Sequence, residues 1–229
     1  MLSDWVALIV AIGLSGPTDT LKVYKNARGE IARMSLYDAS DNQLQSIDFE
    51  AFPALESVAI LSRYVTNRGL SRLERAPAGL KTLIIDGSWI DDKGIVPVLR
   101  RHKDLTLLIL RNTRVGDGSL REIQQLRDLI TLCLDGTRIT DAGLEHLETL
   151  SELRILNLSG TAVSDAGMRT LSKIKELGTL DLSYTKVTDQ GTRQLAVLQR
   201  LHTLRLDGTK VTGQGKAALK NALPDLNFR

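Results

Sequence analysis

Hydrophobic residues recur along this chain at a period too long for a single helix or strand. The frame Leu-x-x-Leu-x-Leu begins at Ile31, Leu55, Leu80, Leu105, Leu129, Leu153, Leu177 and Leu201, and Leu226 opens a ninth copy. Successive starts lie 24, 25, 25, 24, 24, 24, 24 and 25 residues apart. Self-similarity on that scale marks stacked supersecondary units. Two shorter periods alternate inside each unit. In the unit from Leu129, the positions Leu129, Leu132 and Leu134 predict a short strand entered from a bend. Thr137 and Ile139 then point inward from a turn, and Leu144, Leu147 and Leu150 recur every three residues as a helical face. Thr140-Asp141, Ser164-Asp165 and Thr188-Asp189 stand where a helix needs an N-cap acceptor. Gly143, Gly167 and Gly191, two residues past each Asp, predict close packing of one helix on the next. One unit cannot bury both apolar halves by itself, whereas a stack can.

The repeating LxxLxLxxTxVTDxGLxxL pattern resembles the leucine-rich repeat family over residues 31–229. It is similar to repeats of ribonuclease-inhibitor-like proteins, F-box-linked proteins and planctomycete-type bacterial proteins. The ninth position carries Ser88, Thr113, Thr137, Thr161, Thr185 and Thr209 where many members have Asn or Cys. A hydroxyl donates and accepts, so these side chains are expected to satisfy backbone groups in the turns. The resemblance implies an α/β fold: a right-handed solenoid with a parallel sheet on its concave face and helices on its convex face. It also implies recognition of another protein.

The expected organisation is a signal peptide or capping helix at 1–16, a capping hairpin at 17–30, eight repeats at 31–225 and a C-terminal cap strand at 226–229. Ala39 and Asp41 replace the Thr and Val of the pattern, so the first turn is expected to be irregular. Leu21 to Tyr24, a turn from Asn26 to Gly29, and Ile31 to Met34 read as a hairpin over the open end of the stack. The apolar run Trp5 to Leu14 is about half the length a membrane-spanning helix needs. It reads either as a signal-peptide core, with small Gly13 and Ser15 near a cleavage site, or as a capping helix. Asp4 and the lack of Lys or Arg before Lys22 speak against the signal, so the balance leans only slightly towards export to a periplasm or cell surface over the cytoplasm.

Composition narrows the chemistry. Thirty basic against 27 acidic side chains leave a net charge of +3, which gives no reason to expect nucleic acid. A single cysteine, Cys133, excludes an intrachain disulfide and any multi-cysteine metal site. His102, His146 and His202 fall in separate units without ligand spacing, so neither metal nor other cofactor is expected. The stretch from Gly208 to Ala217 fails the phosphate-loop pattern at Gln214 and Ala217, and its glycines sit at repeat positions. Arg100-Arg101-His102-Lys103, the one basic cluster, reads as the solvated C-terminus of a convex helix. Asn157-Leu158-Ser159 is a formal glycosylation sequon inside a strand.

Side chains alternate across a sheet, so residues between the Leu positions face the concave side. On that face Ile84, Leu107, Ile109, Cys133 and Ile155 form an apolar cluster. Asp86, Arg111, Asp135, Asn157, Asp181, Tyr184, Arg205 and Asp207 surround it or continue it towards the C-terminus. An apolar centre with a polar rim is the anatomy of a protein-binding patch. The bland alternative is that β-branched residues simply suit strands. The expected function is therefore non-catalytic recognition by a monomeric scaffold with an unknown protein partner. A self-associating, exported structural solenoid is the alternative. Catalysis by Asp135, Asp181 or Asp207 is disfavoured because no His, Lys or metal cluster accompanies them.

Overall fold

A computed structural model of the chain describes residues 20–229 and the backbone of residues 7–8. The two readings of residues 1–16 therefore lie outside the described residues, apart from a short strand β1 at Ala7–Leu8. Among the described residues, eleven strands form one sheet in strict chain order. After β2 (Leu21–Lys25) and β3 (Ile31–Tyr37) come β4 (Ser57–Leu61), β5 (Thr82–Asp86), β6 (Leu107–Arg111) and β7 (Thr131–Cys133). Next follow β8 (Ile155–Asn157), β9 (Thr179–Asp181), β10 (Thr203–Arg205) and β11 (Asn227–Phe228). β1, β2 and β3 pair antiparallel, and every pairing from β3 onward is parallel. β2 and β3 form an antiparallel hairpin towards one end of the sheet, with β1 paired on β2 outside it, and β11 pairs on β10 at the other end.

A helix follows each repeat strand: α1 (Asp41–Ser46), α2 (Asn67–Leu70), α3 (Asp92–Arg101) and α4 (Asp117–Ile123) in the first half. The second half has α5 (Asp141–Leu144), α6 (Asp165–Leu171), α7 (Asp189–Gln194) and α8 (Gly213–Ala222). The three-residue spacing of Leu144 and Leu147 has a direct consequence. α5 stops at Leu144 and the chain continues as a 3-10 turn, Glu145–Leu147, whose three residues per turn match that spacing. The core is a row of aliphatic shelves. Leu129, Leu132, Leu134, Ile139, Leu144, Leu147 and Leu150 of one unit are all buried against their counterparts in the next. Each shelf alone could bury only part of this surface, so stability is shared between neighbours.

The helix starts carry a feature that the capping signals only half foretell. Thr140, Ser164 and Thr188 do cap their helices, accepting from the backbone N–H two residues on. The Asp that follows each cap points instead to the next unit. Asp117 accepts the N–H of Thr140 at 2.8 Å and its hydroxyl at 2.6 Å. Asp141 holds Ser164, Asp165 holds Thr188 and Asp189 holds Thr212 in the same way. This carboxylate ladder explains the glycines. A Cβ at Gly167 would lie 2.5 Å from Asp141 Oδ1, and Gly143, Gly191 and Gly215 meet the preceding carboxylate as closely. The close packing expected at these glycines is therefore packing onto a hydrogen-bonded Asp. The Asp189–Thr212 step also holds the Asp189 carboxyl below its ordinary pKa, chiefly through the Thr212 hydroxyl.

The hydroxyls of the turn position behave as expected at the C-terminal end. Thr113, Thr137, Thr161, Thr185 and Thr209 each donate to the carbonyl three residues earlier. Ser62 and Ser88 differ, donating across units to the carbonyls of Ala39 and Ser62 at 2.6 Å. The first turn departs from the pattern yet is closed by local contacts. Ala39 is buried, and Ser40 and Gln43 form a reciprocal capping box on α1.

One expectation is corrected here. Arg100 and Arg101 end α3, but His102 is not a solvated terminal cation; it is fully buried. Its Nε2 lies 2.9 Å from the Leu73 carbonyl of the preceding unit, while Nδ1 has no partner. Burial pushes its pKa down, so the ring stays neutral and links two units. Arg100 pairs with Glu122 at 2.8 Å. Among the described residues no helix is long and apolar enough to cross a membrane.

Candidate protein-binding face

The parallel register assembles the face row by row. Ala59, Ile84, Ile109, Cys133, Asn157, Asp181 and Arg205 are successive neighbours across β4 to β10. A second row runs through Thr82, Leu107, Thr131, Ile155, Thr179 and Thr203. The structure therefore places Ile84, Ile109 and Cys133 side by side, with Leu107 two residues before Ile109 on β6. Ile155 belongs to the neighbouring row, separated from Leu107 by Thr131. The first four of these residues are half-buried, whereas Ile155 is 41% exposed. None belongs to the fully buried shelves, whose Leu83, Leu108, Leu132 and Leu156 point the other way from the same strands.

The charged residues are held in two groups. Arg111 donates from Nε to Asp135 Oδ2 at 3.0 Å and lies 4.0 Å from Asp86 Oδ2. Asn112 donates to Asp86 at 3.0 Å, and Asn157 donates to Asp135 at 3.1 Å. Asp135 beside it raises the pKa of the Arg111 guanidinium further above its ordinary value. Further along, Asp181 accepts the Ser183 N–H at 2.9 Å and lies 3.7 Å from Arg205. Half-exposed ion pairs of this kind add little to stability. Their effect is to fix the position of the side chains that edge the apolar row.

Cys133 sits in the middle of that row. Burial, with the nearby Asp135 carboxylate, pushes its thiol up to about 11, so the group is a neutral contact surface at neutral pH. No group of three or more metal-ligating side chains is found among the described residues. Two depressions, one of about 480 Å³ by the hairpin turn and one of about 450 Å³ around Gly178, do not include Asp135, Asp181 or Asp207 in their walls.

Tyr184 supplies a feature that spacing alone does not reveal. At its position in the unit the chain turns with positive φ: Gly87, Gly136, Gly160 and Gly208 lie between 66 and 76°. Tyr184 adopts φ 57° there, with its side chain 69% exposed and its ring against Gly208. A bulky residue in the left-handed region is strained. Asn112 takes the same conformation at lower cost and uses it to reach Asp86. The signal in the sequence was the break in the Gly row at Tyr184, which becomes interpretable only once the turn's φ is known. Asp207 lies beside this tyrosine as an exposed residue, and its carbonyl accepts the Tyr184 N–H at 2.6 Å. Tyr184, Arg205 and Asp207 thus form a second area, C-terminal to the apolar row.

A family model described as a leucine-rich repeat matches residues 149–172. No curated protein matches the chain by sequence. Among solved structures, an internalin (InlF) of Listeria monocytogenes superposes with TM-score 0.65 at 19% identity, covering 84% of this chain and 57% of its own. A leucine-rich-repeat protein of Leptospira interrogans gives TM-score 0.58 at 20% identity, covering 79% of this chain and 44% of its own. Internalin C2 of L. monocytogenes gives TM-score 0.57 at 20% identity, covering 87% and 81%. The chain thus spans little more than half the length of the first and under half of the second, and the likeness to all three is one of fold. The repeat period, the matched unit and the shared architecture agree on one fold, a solenoid of leucine-rich repeats.

Proposed function

We propose that the concave face of β5 to β8 binds a protein partner without catalysing a reaction. The observation that carries this reading is the apolar row Ile84–Ile109–Cys133, which the shelves do not use. It lies beside exposed Ile155 and is edged by the fixed Asp86–Arg111–Asp135–Asn157 network. Apolar centres ringed by polar groups supply most of the affinity in such contacts, and a rigid array loses little ordering entropy on binding. The four rim carboxylates Asp86, Asp135, Asp181 and Asp207 outnumber Arg111 and Arg205. That excess favours a partner that brings an aliphatic side chain flanked by cations.

The test is affinity capture from the native extract with the wild type beside Ile109→Asp, with circular dichroism to verify folding. Ile109 is only half-buried, so the variant is expected to keep its fold and lose a partner that the wild type retains. Equal capture by a folded variant would overturn the reading. Self-association is the second outcome: light scattering that grows with concentration and vanishes in Ile109→Asp would make the partner another copy of this chain.

A further inference from the structure

Between strand and helix each unit passes through a turn, and these turns form a second ladder. The N–H groups of Trp89, Arg114, Arg138, Ala162, Lys186 and Lys210 each donate to a carbonyl of the preceding unit, at 2.8 to 3.0 Å. The residue after each, from Ile90 to Val187, is buried, so the ladder positions themselves project outward. This edge reads Tyr64, Trp89, Arg114, Arg138, Ala162, Lys186, Lys210. Neighbours in a parallel ladder lie about 4.8 Å apart, so the four steps from Arg114 to Lys210 span roughly 19 Å.

Two properties suit this row to an anionic ligand. Among the described residues, none of Arg114, Arg138, Lys186 and Lys210 joins an ion pair, although other surface cations do. At the N-terminal end stand two exposed aromatic rings, Tyr64 at 52% and Trp89 at 58% exposure. Arg63 lies over the first and Arg114, at 4.0 Å from the ring centroid, over the second. The Asp ladder runs three residues further along each unit, and its carboxylates are occupied by the caps of the next unit.

We propose that this edge is a second binding surface, distinct from the concave face, and that it takes a linear acidic polysaccharide. Two pairs of exposed cations outside ion pairs, Arg114–Arg138 and Lys186–Lys210, with Ala162 between them, fit a polymer bearing one acidic group per sugar or per pair of sugars. Both rings stay more than half exposed beside their guanidinium neighbours, and a flat aromatic face suits the C–H face of a sugar ring, which an acidic peptide does not present. A nucleic acid would also stack. However, a chain of net charge +3 with carboxylates behind the row offers a weak field for a phosphate backbone.

The full chain should be titrated by calorimetry at low salt with polygalacturonate and with hyaluronan oligosaccharides. Neutral dextran and single-stranded DNA of equal charge serve as comparators. An acidic glycan is expected to bind, dextran is not, and DNA is expected to bind more weakly. Arg138→Glu with Lys186→Glu should weaken glycan binding about tenfold or more, and the Gln pair should do so to a lesser degree if the Glu pair misfolds. Trp89→Ala should weaken it several-fold. Reversing Arg169 and Arg193 on the convex helices, or Ile109→Asp on the concave face, should leave it within about twofold. The proposal fails if neither acidic glycan binds, if DNA binds more tightly, if Trp89→Ala has no effect, or if the convex pair weakens binding as much as the edge pair.

Discussion

Aspartate appears in two series in this molecule, and the two behave differently. On the helix side, Asp117, Asp141, Asp165 and Asp189 recur once per unit, and each takes an N–H and a hydroxyl from the next cap. On the concave side, Asp86, Asp135, Asp181 and Asp207 occur at irregular units and have unlike surroundings. Two share Arg111, one lies beside Arg205 and one is exposed. The same side chain is scaffold where the repeat demands it and distinctive where the repeat does not. Periodicity therefore separates residues that hold units together from residues free to serve binding.

The ladder half of this comparison breaks most severely at its glycines. Gly167→Leu would drive a side chain into Asp141 and Leu144 of the preceding unit, which a Cβ alone already approaches to 2.5 and 2.6 Å. The expected loss is about 3 kcal/mol, or a fall in melting temperature of roughly 6 to 12 °C. Thermal unfolding followed by circular dichroism checks it. An unchanged midpoint would mean that the units are not packed at this distance. Removing the acceptor comes next. Asp165→Ala leaves the Thr188 N–H and hydroxyl without their partner and is expected to cost about 2 kcal/mol, with Asp165→Asn costing less. The equivalent truncation on the concave face, Asp181→Ala, removes the acceptor of one backbone N–H, that of Ser183, and an ion pair whose arginine is half-exposed. It should therefore cost about 1 kcal/mol, roughly half the loss at Asp165. Equal losses at the two sites would erase the distinction between the series.

The ladder also shows how far the sequence could be read. The frame of Leu positions carries nearly everything about the fold, since a regular shelf spacing admits one stacking and one register. The caps were legible too, because Thr, Ser and Asp before an apolar period have a local physical meaning. The second hydrogen bond of each Asp was not, for it depends on where the next unit falls in space. His102 shows the same limit: a residue in a basic cluster looks solvated until the Leu73 carbonyl of the preceding unit is placed beside it. On the concave face, strand alternation sufficed to bring Ile84, Ile109 and Cys133 together. It could not show that Thr131 separates Leu107 from Ile155, or that Tyr184 is strained.

Tyr184 sharpens the comparison from the binding side. Glycine at this position would relieve the left-handed strain, roughly 1 to 2 kcal/mol, and would lose part of that gain to unfolded-state entropy. Tyr184→Gly is therefore expected to be as stable as the wild type or up to about 1 kcal/mol more stable. A partner that contacts the C-terminal part of the face should nevertheless be held more weakly. Urea denaturation and capture of the partner, run on the same variant, separate the two effects. A destabilised variant would show that the ring's contact with Gly208 outweighs the strain, which would place Tyr184 with the scaffold.

The smallest effect concerns Cys133, where a concave carboxylate acts on a neighbour instead of a cap. Burial and Asp135 raise the thiol to about 11, with Arg111 acting in the opposite direction. The thiolate is the reactive form, so alkylation by iodoacetamide at pH 8 should run far more slowly than for an unstructured peptide thiol. The rate should keep rising through pH 10, where the peptide has levelled off. Asp135→Asn removes the nearby negative charge and should shift the profile to lower pH; Arg111→Gln should shift it to higher pH. Neither substitution should move the melting temperature appreciably, since both groups are partly exposed. A shift in the profile without a change in stability would show the concave charges setting the chemistry of the face while the stack stands on the other series. Unshifted profiles in both variants would leave burial alone as the cause and reduce the Asp86–Arg111–Asp135 network to a positional role.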